Sequence, residues 1–408
     1  MSKITNPTLV PELRFPEFIN SWEIKHIGKV AKNLDSKRKP ITQQDRISGS
    51  TPYYGASGII DYVDGYIYDE SLLCISEDGA NLIARSYPIA FSIHGKTWVN
   101  NHAHVLKFKY SHTQTIVENY LNNISLEDYL TGMAQPKLNR AKLDIIPIPL
   151  PLDLKEQQKI AAFLSSMDDL IATNTKKLEL LKFHKKGLMQ KLFPVEGKSV
   201  PDLRFPEFTG KWKKGELGQL STILRGGSPR PIENFLTKDK KALNWLKIGD
   251  VDKDAKYISM TQERVKVEAL SKTRVVNSGD LIMSNSMSFG RPYIMKIQSC
   301  IHDGWIAVTD VSQSIDVNYL YYFILSDTSQ GYFVNSAAGG GIKNLNADII
   351  KKTSVFYAED IKEQQKIAET LSSIDDLITE NIKKLESLKS HKKGLIQKLF
   401  PEIKESIA

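Results

Sequence analysis

The amino-acid sequence predicts an α+β protein in which two mixed α/β domains are separated by two long helices. Three observations predict this fold. The chain contains two copies of one unit. Each copy ends in a long segment whose apolar residues follow a heptad pattern. Between the repeated blocks, short apolar runs are bounded by Gly, Asp, Asn and Ser, as is typical of strands and turns.

The internal repeat consists of two blocks. Residues 10–18 recur as 200–208, at an offset of 190, and residues 155–194 recur as 362–401, at an offset of 207. In the longer block 31 of 40 positions are identical, whereas the sequence between the blocks differs almost completely between the copies. A constant frame around changing inserts indicates that the inserts serve two different readouts.

Both longer blocks are predicted to be helices, because each contains no proline before the one that ends it. Their apolar stripes run from Ile160 to Leu192 and from Ile367 to Leu399. At about 1.5 Å per residue, each helix is expected to be roughly 55–60 Å long. Each stripe needs a partner, and we expect the two sister helices to pair. The short connection from Pro194 into the second copy favours an antiparallel coiled coil with pseudo-two-fold symmetry.

An asparagine interrupts the stripe at the same place in both copies, at Asn174 and Asn381. A polar residue in a coiled-coil seam lowers stability and fixes the register of the helices. We therefore expect these asparagines to lock the pairing, either by meeting each other or by each binding a fixed polar partner. The alternative is that each asparagine caps a local bend.

The repeat also sets the expected domain boundaries. They are residues 1–154 for domain 1, 155–194 for helix 1, 195–361 for domain 2, 362–401 for helix 2 and 402–408 for a C-terminal tail. The net charge is +8, and the two helices carry +4 and +2 of it. This basic balance favours a polyanionic partner, although the helix lysines could equally form a solvated flank.

The sequence lacks the motifs of several enzyme classes. Two Gly-Lys-Ser/Thr triplets occur, but Ala90 and Leu192 stand where a phosphate-binding loop needs its first glycine. The Asn-Pro-Pro-aromatic motif of amino-methyltransferases is absent. His102 and His104 could hold a metal with His94, but other polar or core roles are favoured because a further convincing ligand is missing. With two cysteines, no long apolar run and no secretory signal, we expect a cytoplasmic protein.

Taken together, these features resemble the specificity subunit of type I restriction–modification systems, over essentially the whole chain. The resemblance rests first on the sequence Lys-Glu-Gln-Gln-Lys-Ile-Ala, which begins each long helix at 155–161 and 362–368. Segments of the inserts are similar to two known types of recognition domain. They are 52–59 and 101–104 in the first insert, and 225–229, 248–250 and 278–282 in the second.

The resemblance implies two target recognition domains, each of which reads one half of a bipartite site in double-stranded DNA. It also implies that the paired helices set the spacer and dock two methyltransferase subunits, which use S-adenosylmethionine. Restriction subunits, which are motor–nucleases that need ATP and magnesium, are expected to join them. This chain itself is then expected to have no catalytic residues, metal, cofactor or membrane contact. The alternatives are a standalone two-headed DNA-binding regulator and a coiled-coil adaptor whose inserts bind proteins.

The candidate DNA-binding residues are polar or aromatic and lie in expected loops. In the first domain they are Lys37, Arg38, Arg46, Tyr53, Tyr54, Asn81, Asn101, His102, Gln135 and Lys137. In the second domain they are Arg225, Ser228, Arg230, Lys247, Asn285, Ser286, Arg291, His302 and Lys343. Each of them could instead have an ordinary surface or turn role, and the two tyrosines could simply pack the domain.

The register hypothesis predicts the behaviour of a double variant, Asn174→Leu with Asn381→Leu. We expect its melting temperature to rise, because two polar residues leave an apolar seam, and its domain spacing to become less uniform. Thermal unfolding and small-angle scattering measure the two effects. An unchanged spacing distribution would show that the asparagines do not set the register.

Overall fold

A computed structural model describes residues 9–132, 135–195, 197–285, 289–337 and 345–403. The chain divides into two compact units, Met1–Lys176 with Ile382–Ala408, and Lys177–Asn381. Each unit contains one insert together with parts of both long helices. None of the helices in the described ranges is both long enough and apolar enough to cross a membrane.

The first insert folds into short elements because its apolar runs are brief and end at Gly, Pro, Asn or Asp. In chain order the elements are β1 (Trp22–His26), α1 (Ile27–Val30), β2 (Ala31–Asn33), β3 (Ser48–Gly55), β4 (Gly58–Val63), β5 (Tyr68–Asp69), β6 (Leu72–Ser76), α2 (Asn81–Ala84), β7 (Ala90–Ile93), β8 (Lys96–Val99), β9 (Ala103–Phe108), α3 (Ser111–Asn123), α4 (Arg140–Asp144), β10 (Pro147–Pro151) and the long helix α5 (Leu154–Leu192). The sheets are ordered β1-β10, β2-β9-β6-β7 and β4-β3-β8-β5, and strand β6 is buried at every position.

The second insert has more strands and different sheets. Its elements are β11 (Trp212–Glu216), α6 (Leu217–Leu220), β12 (Thr222–Arg225), β13 (Leu236–Thr237), β14 (Leu243–Leu246), β15 (Tyr257–Ile258), β16 (Glu263–Val265), β17 (Arg274–Val276), β18 (Leu281–Ser284), β19 (Pro292–Met295), β20 (Ser299–Ile301), β21 (Trp305–Thr309), α7 (Val317–Leu325), α8 (Asp327–Ser336), α9 (Ala347–Lys351), β22 (Ser354–Ala358) and the long helix α10 (Ile361–Leu399). The sheets are ordered β11-β22, β12-β21-β18-β19-β15 and β13-β16-β14-β20-β17.

Each insert begins and ends at a two-stranded antiparallel ladder. In the first unit β1 pairs with β10, so that Trp22 lies opposite Pro151. In the second unit β11 pairs with β22, so that Trp212 lies opposite Ala358. The ladder holds the two ends of each insert side by side, immediately before the long helix that follows.

The long helices pair in an antiparallel sense in each unit. In the first unit Ile160, near the start of α5, belongs to the same core as Leu399, at the end of α10. In the second unit Leu192, at the end of α5, shares a core with Ile367, near the start of α10. The heptad stripe therefore predicted the helices correctly, and the short connection after Pro194 predicted the direction of their pairing.

The same ion pair occurs once in each unit. Lys392 Nζ lies 2.5 Å from Asp168 Oδ1 in the first unit, and Lys185 Nζ lies 2.6 Å from Asp375 Oδ1 in the second. The offset of 207 relates Lys185 to Lys392 and Asp168 to Asp375. Because the two helices are near copies of each other and pack antiparallel, the same lysine–aspartate ion pair forms once in each unit.

The asparagines that interrupt the stripe are both buried. Asn174 is 5% exposed and Asn381 is 4% exposed. Asn174 Nδ2 donates to the carbonyl oxygen of Leu170, one turn earlier in the same helix, at 2.7 Å. Their role in fixing the register stays a prediction.

A buried glutamate at the start of each long helix anchors the block that precedes the insert. In the first unit Arg14 contacts both oxygens of Glu156, at 2.7 and 2.8 Å, and Trp22 Nε1 donates to the same carboxylate at 3.1 Å. In the second unit Arg204 contacts both oxygens of Glu363 at 2.8 Å. Trp212 Nε1 again donates to this carboxylate, at 3.3 Å. We call each arrangement a glutamate clamp.

The clamps explain why both repeated blocks are needed together. Glu156 is 1% exposed and Glu363 is fully buried, so each requires a compensating charge and hydrogen-bond donors. A bidentate guanidinium supplies both, and the indole N–H adds a third donor. The arginine comes from the shorter block, the tryptophan lies four residues after that block, and the glutamate comes from the longer block.

The clamps predict the stability of three single variants. We expect Arg14→Ala and Arg204→Ala each to lower the free energy of unfolding by about 3 kcal/mol, because each leaves a buried carboxylate without its partner. Lys198→Ala serves as the control, since it removes an exposed ion pair with Asp202 and should cost less than about 0.5 kcal/mol. Urea unfolding of the full chain measures all three. Equal, small effects would contradict the assignment.

Candidate nucleic-acid interface

Two candidate residues of the first unit, Arg38 and Lys137, meet at one carboxylate. We define the Glu77 cluster as Asp35, Arg38, Glu77, His104 and Lys137. Arg38 Nη1 lies 2.6 Å from Glu77 Oε2, and Lys137 Nζ lies 3.3 Å from Glu77 Oε1. His104 Nδ1 lies 2.6 Å from Asp35 Oδ2. Strand β6 leads into Glu77 and strand β9 carries His104, so two neighbouring strands of one sheet position the cluster.

The two carboxylates of the Glu77 cluster are held in their ionised form. Burial acts to raise the pKa of Asp35, but hydrogen bonds and the charge of His104 outweigh it and hold this pKa below its ordinary value. Burial also acts to raise the pKa of Glu77, and the hydrogen bond from Arg38 together with the charge of His104 lowers it. Arg38 is therefore an internal counter-ion, and its side chain is only 14% exposed.

The Glu77 cluster also contains a set of atoms close enough to hold a metal ion. Donor atoms of Asp35, Glu77 and His104 lie within 4.8 Å of one another. However, His104 Nε2 faces the carbonyl oxygen of Leu138 at 2.7 Å, and Nδ1 faces a carboxylate. Both ring nitrogens of His104 therefore already have an oxygen partner, and the Leu138 carbonyl oxygen can only accept a hydrogen bond. The chemistry of these donors fits an ion-pair network.

Four other candidates of the first unit are exposed. Lys37, Asn101, Gln135 and Lys137 all have exposed side chains, as a DNA contact requires. His102 is also half exposed, and its Nδ1 lies 2.9 Å from Asp78 Oδ2. Because Asp78 follows Glu77 directly, His102 and Lys137 lie beside the same short acidic segment.

The remaining candidates of the first unit hold the domain together. Tyr53 is buried, and its hydroxyl accepts from the Ile41 N–H at 2.9 Å. The Arg46 guanidinium lies 4.8 Å from the centre of the Tyr53 ring and pairs with Asp61. Tyr54 stacks on Phe91 at 5.9 Å between ring centres. The Asn81 side chain bonds both backbone groups of Tyr87.

The candidates of the second unit meet around a different carboxylate. We define the Asp303 cluster as Arg225, Ser228, Arg230, His302 and Asp303. Ser228 Oγ donates to Asp303 Oδ1 at 2.7 Å, and His302 Nε2 lies 3.0 Å from the same oxygen. Arg230 Nη2 lies 3.5 Å from Asp303 Oδ2. Burial acts to raise the pKa of Asp303, but Ser228 and the nearby positive charges outweigh it and hold this pKa below its ordinary value.

The Asp303 cluster borders an open groove. A cavity of about 530 Å³ is lined by Ser228, Arg230 and His302 together with Trp245 and Lys247. Lys247 Nζ lies 2.7 Å from Glu263, which also lines the groove. The structure thus brings four sequence-predicted candidates to one concave surface.

Two further candidates of the second unit have structural contacts. Asn285 is buried, and its Nδ2 donates to the carbonyl oxygen of Asp303 at 3.0 Å. Arg291 lies 5.8 Å from the centre of the Tyr293 ring. Ser286 and Lys343 lie outside the described residues.

The carboxylates on which both clusters depend were not predicted. Glu77 and Asp303 are not among the candidate residues, which are all basic, polar or aromatic. A signal was present, since Asp303 directly follows the candidate His302 and Asp78 accompanies Glu77 at the end of a buried strand run. A cationic side chain that contacts a ligand needs an anionic neighbour to hold its geometry.

Comparison with known proteins identifies a family. A family model described as the type I restriction modification DNA specificity domain matches residues 19–182 and 209–389. A putative type I restriction enzyme specificity subunit of Haemophilus influenzae is 31% identical over 367 residues, which are 88% of this chain and 90% of the relative. The MjaVIII specificity subunit of Methanocaldococcus jannaschii is 24% identical over 413 residues, which are 95% of this chain and 93% of the relative.

Solved structures share the fold. The S subunit of a type I restriction–modification system from M. genitalium superposes with a TM-score of 0.66 at 16% identity, covering 97% of this chain and 100% of that chain. A chain from a structural study of assembly and conformational transition in the type I system gives a TM-score of 0.54 at 15% identity, covering 93% and 97%. The predicted α+β class, with two mixed domains and long paired helices, is confirmed.

Neighbouring basic residues of the first unit are expected to differ in role. Arg38→Ala should lower the free energy of unfolding by about 3 kcal/mol, because it removes the guanidinium group that pairs with two part-buried carboxylates. Lys37→Ala should change stability by less than about 0.5 kcal/mol, since Lys37 is exposed. Lys37→Ala should instead weaken the salt dependence of DNA binding. The slope of the logarithm of the association constant against the logarithm of the salt concentration should become smaller by about 1. Chemical unfolding and salt titrations separate the two; the reverse pattern would refute these roles.

Proposed function

We infer the function of this chain from its family, since it belongs to the type I restriction–modification DNA specificity family. Its role is that of the DNA sequence-specificity subunit of a type I restriction–modification complex, and as such it is a non-catalytic part of that complex. The observation that carries this conclusion is that the family model matches both copies of the repeat. Two unlike inserts on one frame fit the reading of a bipartite target.

Each unit is proposed to read one half of the target with its own charged cluster. The Glu77 cluster and the Asp303 cluster each place cationic and hydrogen-bonding side chains around one carboxylate. Exposed lysines on such a surface bind phosphates, and side chains that reach the base edges supply sequence specificity. Since the two clusters have different residues and different geometry, the two half-sites are expected to differ in sequence.

The long helices are proposed to set the spacer between the half-sites. Each has 39 residues, which corresponds to about 58 Å. Half-sites one turn of DNA apart are separated by about 34–36 Å, which is within this length. A continuous helix has a fixed length, because its backbone hydrogen bonds fix the rise per residue.

The frame is also proposed to dock two methyltransferase subunits, which would bring S-adenosylmethionine and methylate an adenine in each half-site. Leu170 and Leu377 support this, because the offset of 207 relates them and both are exposed, at 41% and 46%. An apolar residue exposed at equivalent places in two copies fits two copies of one partner. Restriction subunits that use ATP and magnesium would complete the complex, in the cytoplasm.

The proposed function predicts the outcome of an insert exchange. The chain is co-expressed with its methyltransferase partner, and adenine methylation is mapped across the genome. We expect a split motif, and exchange of residues 24–150 for the corresponding segment of a relative should change one half only. Exchange of residues 214–353 is the matched control and should change only the other half.

Two results would contradict this function. One is a change in both halves after a single exchange. The other is a complex that purifies intact with its partner but methylates no split motif. A chain that binds its target tightly and specifically without the partner would favour the standalone regulator instead.

A further inference from the structure

We propose that the Asp303 cluster reads a G·C base pair, with Arg225 and Arg230 directed to guanine and Asp303 acting as the positioning residue. This proposal rests on the proposed function, because it names the base pair that the second unit reads. It concerns one position in one half-site.

Arg225 and Arg230 both lie beside Asp303, and their guanidinium groups have N–H donors without a partner among the described residues. Arg225 donates through Nε to the carbonyl oxygen of Asp303 at 3.0 Å, and among the described residues its two terminal nitrogens have no hydrogen-bond partner. Arg230 is 81% exposed, and its one contact within the described residues is the 3.5 Å approach to Asp303 Oδ2. Arg225 is therefore held by Asp303 and Arg230 lies beside it, and both guanidinium groups have donors without a partner among the described residues.

The backbone N–H, the carbonyl oxygen and Oδ1 of Asp303 are all hydrogen-bonded within the second unit. Its backbone N–H donates to Ser228 Oγ at 3.2 Å, and its carbonyl oxygen also accepts from Asn285 Nδ2 at 3.0 Å. Its Oδ1 accepts from Ser228 and from His302. His302 Nδ1 in turn accepts from the Gly304 N–H at 2.9 Å, so the imidazole proton is on Nε2 and points at Asp303. A turn with this many constraints holds a recognition group in place before the ligand arrives.

One glycine shows how closely the two segments of the cluster approach. A Cβ atom on Gly226 would lie 2.2 Å from the carbonyl oxygen of His302 and 2.9 Å from its carbonyl carbon. Only glycine allows the strand that ends at Arg225 to approach the turn at Asp303 this closely. The close approach is what brings the arginine into contact with the aspartate.

The donors and acceptors of the cluster match one base pair. In the major groove guanine presents two acceptors, O6 and N7, to which arginine donates in the commonest specific contact. Cytosine presents the N4 amino donor, to which a carboxylate accepts. The cluster has guanidinium donors next to Asp303 Oδ2, which the long contact to Arg230 leaves able to accept. An A·T pair lacks the two adjacent acceptors of guanine, and so it offers fewer hydrogen-bond partners to the guanidinium groups of the cluster.

The two candidate arginines of the first unit are much less exposed than Arg230. Arg46 is 20% exposed and pairs with Asp61 at 3.1 Å. Arg38 is only 14% exposed and is paired with Glu77 at 2.6 Å. It also donates to the carbonyl oxygen of Ala103 at 2.8 Å. The proposal is therefore specific to the half-site that exchange of residues 214–353 changes.

The test is a methylation map made with the whole complex. Wild type should show a G·C pair in the half-site of the second unit. Arg230→Ala should reduce discrimination at that pair by about 10- to 100-fold, as for the loss of one bidentate contact, and leave the other half unchanged. Asp303→Asn keeps the shape and the bond to Ser228, and it should relax the same position because the guanidinium groups lose their anionic support. Arg230→Lys should recover part of the discrimination.

Controls separate reading from binding and folding. Lys238→Ala removes an exposed lysine of the same domain and should lower methylation evenly at all sites, with the motif unchanged. Co-purification with the partner and unchanged reading of the first half-site establish that each variant is folded. The proposal fails if the half-site contains no G·C pair, or if Arg230→Ala behaves like Lys238→Ala and so marks a phosphate contact. In either case a split motif would still stand, and with it the proposed function.

Discussion

The buried carboxylate of the glutamate clamp is the interaction on which the architecture depends. Glu156 and Glu363 each lie at the first turn of a long helix, where an arginine and a tryptophan from a distant block reach them. The same tryptophans begin the strands β1 and β11, which pair with the strands that return from the inserts. One buried charge thus fixes the helix, the preceding block and both ends of the insert relative to one another. The inserts can then differ in sequence without disturbing the frame.

The two units differ in the insert residues that surround the repeated lysine–aspartate ion pair. In the first unit the ion pair between Asp168 and Lys392 is part exposed. In the second unit the Tyr322 hydroxyl donates to Asp375 at 2.7 Å, and Lys256 Nζ lies 4.7 Å from the centre of the same ring. Burial lowers the pKa of Lys256, which shows how far this lysine is withdrawn from water. An insert-specific network therefore adds a hydrogen bond and a cation–π contact around the repeated ion pair of the second unit.

The sequence allowed prediction of what is local and periodic. The long helices and the repeated blocks follow from heptad spacing and internal comparison, and the pairing direction follows from the short connection after Pro194. None of these needs knowledge of contacts between distant residues. The candidate sites were harder to predict from the sequence because they join residues far apart in the chain, such as Arg38 with Glu77 and Ser228 with Asp303. Whether an arginine faces solvent or neutralises a buried carboxylate is decided by such pairings. Residue type alone therefore could not separate exposed Arg230 from enclosed Arg38.

The core of the first unit has a consequence for the order of events during translation. It includes Ile396, Leu399 and Phe400, and the Phe400 ring lies 5.1 Å from that of Tyr120 and 6.2 Å from that of Trp22. At about 5–20 residues per second, these side chains leave the ribosome some tens of seconds after Leu164. The second unit, Lys177–Asn381, is continuous in the chain and needs no later segment. The domain that is synthesised first is therefore the one that is completed last.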